Sequence, residues 1–171
     1  MDNRMLNNRL LNTARMLILL AEEEEPLLQK LNSDYQTQLS ELNSYRRKLI
    51  FSANNEGSIT QLVTIVNNLE VTRNRLDASK NHLSTLLSAT LSYVVMIIES
   101  TQDPRLSITP RLRNVIRSIT RIVEESKGLN VDYSALVSLA IRGSILLTIK
   151  ESGTMGVMTK RLFIALKNAV V

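Results

Sequence analysis

Apolar residues return at intervals of seven through the middle of this chain. Ile59, Val66, Arg73, Lys80, Leu87 and Val94 share one heptad position, and Leu62, Leu69, Leu76, Leu83, Thr90 and Ile97 share the position three residues later. Sustained in this way, the spacing predicts a long helix whose seam packs against other helices. It describes how the chain associates and points to no reaction.

Upstream, Leu6, Leu10, Ala14, Leu17 and Ala21 place one apolar stripe on a helix over roughly residues 3–25. Glu22 to Glu25 and then Pro26 predict a break or kink, because proline lacks the N–H a helix needs and disfavours helical geometry before it. A second heptad follows, with Leu28, Tyr35, Leu42 and Leu49 on one position and Leu31, Gln38 and Tyr45 on the other. Turn-forming residues at 52–57 end it, and Ser58 is placed to cap the next helix. A short connection makes the two helices antiparallel neighbours. The expected fold is therefore all-α, a helical bundle carrying a long antiparallel, coiled-coil-like hairpin over 27–99 within one domain, 1–171.

Folding the hairpin about Asn55 sets residue n opposite roughly 110 minus n, which brings Arg73 near Gln38. With Lys80 one heptad further on, these form a candidate polar layer that fixes register at some cost in stability. Past residue 82 the helix is apolar on several sides, so that end enters a bundle, with the N-terminal helix as the available partner.

Residues 101–108 read as a loop. Thr109 and Pro110 then start a helix running to about 126, with a capping hydroxyl and proline in the first turn. Leu112, Val115, Ile116, Ile119, Ile122 and Val123 mark its apolar face, and Gly128 closes it. Asp132 is placed to cap a helix over 133–151 that is apolar nearly all round, which reads as a buried central helix with Arg142 as a buried charge. Residues 152–156 read as a linker before a last helix from Met158 to Val170.

Charge separates the two parts of the chain. Residues 1–100 carry 10 basic and 11 acidic side chains, whereas residues 101–171 carry 11 basic and 5 acidic ones, so the positive total of +5 comes from the C-terminal part alone. A one-sided positive field calls for an acidic partner. Arg113, Arg117 and Arg121 recur at four-residue spacing with Arg111 and Arg105 nearby, a row about 12 Å long on a helix that rises about 1.5 Å per residue. Guanidinium groups bind phosphates and carboxylates through paired donors, which makes this row, with Lys160 and Arg161, the candidate surface for nucleic acid or an acidic protein. No aromatic residue interleaves it, so base stacking is not expected there.

The chain has no cysteine and one histidine, His82. Thiolate chemistry, zinc–thiolate sites and His-pair metal sites are thereby removed, and no cofactor or metal is expected. Gly153 and Gly156 lack the spacing and the following Lys-Ser/Thr of a phosphate loop. The apolar run Met16 to Ala21 is followed by four glutamates, which does not fit a secretory signal, and an intracellular or virion location is expected. The sequence thus predicts a non-enzymatic structural or assembly protein acting by helix packing with itself or a protein partner. Its asparagine-rich, tryptophan-free composition leans towards a viral source. The alternatives are a nucleic-acid-packaging protein using the arginine face, and a protein whose apolar C-terminal helices open onto an anionic membrane.

Overall fold

The computed structural model describes residues 3–51, 56–101, 103, 108–150 and 153–171. Among them are five helices and no strand: α1 (Asn3–Phe51), α2 (Glu56–Ser100), α3 (Pro110–Glu125), α4 (Ser134–Ile149) and α5 (Gly153–Val170). The chain is an all-α helical bundle. It divides into two compact units, one of residues 1–25 with 81–171 and the other of residues 26–80.

Helix α1 runs through Pro26 without interruption, where the sequence predicted a break or kink. The reason lies in the seam. Ala14, Ala21 and Leu28 are fully buried at intervals of seven, and Tyr35, Leu42 and Leu49 continue the same row half-buried. The seam therefore stays in phase across the proline, and Pro26 itself points to solvent. An interior proline costs about 3 kcal/mol. Burying one leucine contributes roughly 2 kcal/mol, so a few seam residues on either side offset that cost.

In the smaller unit the two helices run antiparallel, and the Tyr45 hydroxyl donates to the Ser58 carbonyl across them at 2.9 Å. Helix α2 already begins at Glu56, so Ser58 lies inside the helix and is not its cap. The rows predicted for α2 are half right. Leu62, Leu69, Leu76 and Leu83 face inward, but the companion row is Ile65, Thr72 and Ser79, leaving Val66 and Arg73 exposed and Lys80 half-buried. The alternative would enclose two cations in a two-helix seam without carboxylates, which is far costlier than enclosing two small hydroxyls. Thr72 satisfies its own hydroxyl by donating to the Asn68 carbonyl at 3.1 Å.

The larger unit contains the N-terminal part of α1, the C-terminal part of α2 and all of α3 to α5. Here too α1 and α2 are antiparallel: Glu24 lies 3.3 Å from His82, and Asn7 donates to Thr101 at 2.9 Å. Those number pairs add to 106 and 108, close to the expected 110. Residues 86–98 of α2 bury Leu86, Leu87, Leu91, Val94, Val95, Ile97 and Ile98, as an end enclosed by several helices should.

Helix α3 starts as its sequence dictates. Thr109 Oγ1 accepts from the Leu112 N–H at 3.3 Å, and Pro110 takes a first-turn position where no N–H is needed. Its apolar face is fully inside. After the helix, Gly128 adopts φ +89, a left-handed conformation that side chains resist. Asp132 accepts from the Ser134 N–H at 3.0 Å, one step outside the position of a standard cap, which Tyr133 occupies without a side-chain bond.

Helices α4 and α5 depart from expectation. Only Leu136, Ala140, Gly143 and Leu147 of α4 are buried, so it is not a central helix. Helix α5 begins at Gly153, five residues before the predicted start, and buries Gly156, Thr159, Phe163 and Leu166. The helices meet closely because a Cβ at position 143 would lie 2.6 Å from Phe163 Cζ. Glycine is what the contact requires. At the other end of α4, the Lys150 ammonium donates to the carbonyls of Ile98, Glu99 and Thr101 at 2.8, 2.7 and 2.7 Å, satisfying the end of α2.

Candidate interaction surfaces

The arginine face of α3 is smaller than its spacing implied. Arg113 is buried, and its Nη1 donates to Met155 Sδ at 3.1 Å while Nε finds no partner. Position 113 lies beside the flank of α3 that α5 covers, so the guanidinium turns inward along the neighbouring helix. Arg121 is exposed but committed, donating to Glu22 at 2.7 Å with Glu125 at 4.0 Å. Arg117 bonds to Asn114 of its own helix at 3.1 Å. Arg111 is exposed, but about a quarter turn or more from the face shared by Arg117 and Arg121. Arg105 falls outside the described residues. On α5, Lys160 donates to Thr148 at 2.7 Å and Arg161 is exposed. A continuous three-guanidinium row is not formed.

Arg142 is the second correction. Its side chain is 57 % exposed, and it bonds both carboxylate oxygens of Glu99 at 2.8 and 2.9 Å. The aliphatic neighbours that suggested burial belong to a helix with solvent along one side. The pair is a surface clasp between α2 and α4. An exposed pair of this kind contributes about 0–1 kcal/mol.

The polar register layer does not form either. Gln38 Oε1 is enclosed and accepts no hydrogen bond, and Arg73 points to solvent. The altered seam row in α2 accounts for both facts.

Among the remaining polar groups, Ser88 Oγ is buried without a hydrogen-bond partner. Ser126 and Tyr133 share a buried hydrogen bond of 2.6 Å, and burial pushes the Tyr133 phenol above its usual range. The exposed Asp132 carboxyl is held low by its hydrogen bonds from Ser134. Among the described residues no group of three or more His, Asp or Glu side chains could hold a metal ion. A broad groove of about 400 Å³ in the smaller unit is lined by Ser40, Glu41, Ser44, Tyr45, Lys48 and Gln61.

The largest signal is apolar and faces outward. On α4, Ile141, Ile145 and Ile149 are 40, 53 and 70 % exposed, on the side opposite the buried row Leu136, Ala140, Gly143 and Leu147. On α1, Met16, Leu19 and Leu20 are exposed by half or more, opposite the buried row Ala14, Ile18 and Ala21. On α2 of the smaller unit, Ile59, Val63 and Val66 form a third exposed group. These are second stripes on helices that already bury a first. The sequence carried the signal as an excess of apolar positions over one stripe, which for α4 reads equally well as full burial. Helix α2 also contains a stretch long and apolar enough to cross a membrane, half of it buried within the fold.

Compared with known proteins, the chain matches no family model, no curated protein and no solved structure.

Proposed function

We propose that this protein is a non-enzymatic structural subunit that assembles through helix faces, with copies of itself or with a partner chain, in a virion or a cellular complex. The observation that carries this reading is the second apolar stripe on α1 and on α4, each set opposite a stripe already used in the fold. Exposed apolar residues scattered singly are ordinary, but rows at helical spacing are what helix-mediated interfaces present.

A nucleic-acid reading rests on the excess of basic residues after position 100. It is the weaker one, because Arg113 is turned inward and Arg121 is paired with Glu22. Molar mass by light scattering at low and high salt tests the choice. A defined oligomer indifferent to salt supports assembly through apolar faces. A monomer at all concentrations counts against it, and an assembly that dissolves in salt redirects attention to the basic surface.

A further inference from the structure

Helices α4 and α5 carry charge of one sign. Between them they contain Arg142, Lys160, Arg161 and Lys167 and no acid. Glu99 of α2 already bonds Arg142, so the cations to be matched are the three of α5. Acids stand only towards the ends of α4 in the sequence around it, with Asp132 before the helix and Glu151 after it. Asp103 follows Thr101, whose carbonyl Lys150 holds, and so belongs to the Ile149 end.

The same two helices share an apolar opening. Ile141 and Ile145 of α4 and Ile164 of α5 surround a recess of about 140 Å³ that Phe163 and Lys167 also line. Ile164 is 44 % exposed, and Ile149 continues the α4 row one turn further on. Lys160 donates across the helix pair to Thr148 at 2.7 Å, which brings its ammonium to α4. Arg161 stands one turn before Ile164 on α5. An aliphatic face is thus bordered by cations on long stems, which can lie along apolar surface while the charge stays in water. The α1 stripe lacks this character, because the exposed Arg9, Arg15 and Glu23 around it mix both signs.

We infer that the α4–α5 face rests on an anionic lipid surface, with its isoleucines at the acyl boundary and Lys160, Arg161 and Lys167 among the headgroup phosphates. Composition sets lipid apart from a protein partner here. Protein interfaces are enriched in aromatic residues and depleted of lysine, whereas helices lying in a bilayer interface combine apolar residues with lysine and arginine. The one aromatic residue of α4 and α5 is Phe163, and it is completely buried. Helix α4 has 16 residues, fewer than the roughly 20 of a membrane span, so the face lies on the bilayer and does not cross it. This goes beyond the assembly reading, which the α1 stripe supports separately.

Flotation of the full chain with vesicles of phosphatidylcholine alone, and of phosphatidylcholine mixed with phosphatidylserine, tests it. The protein should float with the mixed vesicles, several-fold less with the neutral ones, and less again as salt rises. Ile145→Asp and Lys167→Glu should each lower flotation several-fold. Both positions are exposed, so circular dichroism should show both variants folded. Leu20→Asp, on the α1 stripe, should float as wild type does. Absence from the mixed vesicles at low salt would overturn the inference, as would flotation indifferent to both Ile145→Asp and Lys167→Glu. Sedimentation velocity without lipid separates this result from the assembly reading. Oligomers that Ile145→Asp dissolves, in a protein that does not float, would give the face to a protein partner and leave assembly standing. A monomer that floats and loses flotation with Ile145→Asp would support the lipid surface and count against assembly.

Discussion

The ring of Phe163 occupies the space that a side chain at Gly143 would fill. A Cβ there would sit 2.6 Å from Cζ and 2.9 Å from both Cε atoms, and Phe163 is completely buried. Helices α4 and α5 owe their close approach to this pair. Gly143→Ala gains about 1 kcal/mol of helix propensity. It loses about 1–3 kcal/mol to overpacking against a ring with nowhere to go. The net expectation is a loss of roughly 1 kcal/mol, or about 2–4 °C in melting temperature for a chain of this size. Phe163→Leu in the same chain should relieve the clash, so the double variant should be more stable than the sum of the singles predicts. Thermal melts of the four proteins decide it; strict additivity would mean the ring is not what limits the approach.

Lys150 closes the end of α2 from a different helix. Its three ammonium protons meet three carbonyls within 2.8 Å, and a neutral side chain of similar length makes no such set. Hydrogen bonds to a charged group contribute about 1.5–3 kcal/mol where they are shielded from solvent. Because Lys150 is half-buried, Lys150→Met should cost about 1–2 kcal/mol by the lower part of that range. Amide exchange should quicken in the last turn of α2 before it does in α3. Unchanged exchange there would show that water satisfies those carbonyls equally well.

Much of the architecture was legible because it is local or periodic. Thr109 and Pro110 specify a helix start by their own chemistry, and the seven-residue rows of α1 need no knowledge of the partner. The antiparallel order of α1 and α2 follows from a short turn, as the pairs Tyr45–Ser58 and Glu24–His82 bear out. What could not be read were the decisions made by neighbours. Arg113 and Arg117 look equivalent at four-residue spacing, yet the first lies under α5 and the second does not. Arg142 among isoleucines looks buried, but the outer side of α4 is exposed. In α2 two apolar rows compete for the seam, and the cost of enclosing Arg73 and Lys80 chooses between them. Pro26 does not end α1, which runs on through it with Ala21 and Leu28 buried seven apart on either side.

Tyr133 makes part of the stability sensitive to alkali. Burial disfavours its phenolate, which the hydrogen bond with Ser126 only partly offsets, so the folded-state pKa lies above the ordinary value of 10.0. The folded protein therefore holds this proton more tightly than the unfolded chain. Its contribution is fully present below about pH 10 and is lost as the pH rises from there through the raised folded value. Absorbance titration should find one of the four tyrosines ionising late, or only on unfolding. Tyr133→Phe should remove that late step. It should also lose less stability than wild type between neutral pH and the alkaline range, although it starts lower for want of the Ser126 bond. Four tyrosines titrating together would contradict the burial argument.

Pro26 offers the opposite kind of substitution, one expected to stabilise. The ring is exposed, while its missing N–H leaves a gap in the ladder of a helix that continues on both sides. Pro26→Ala should restore that hydrogen bond without moving Ala21 or Leu28. The gain should approach but not reach the roughly 3 kcal/mol measured for proline in regular helices, since carbonyls on a solvent-facing side of a helix are partly satisfied by water. The melting temperature should rise by several degrees with helical content unchanged in circular dichroism. A fall in stability would mean that the proline bends α1 to fit its partners, and that the bend contributes more than the bond.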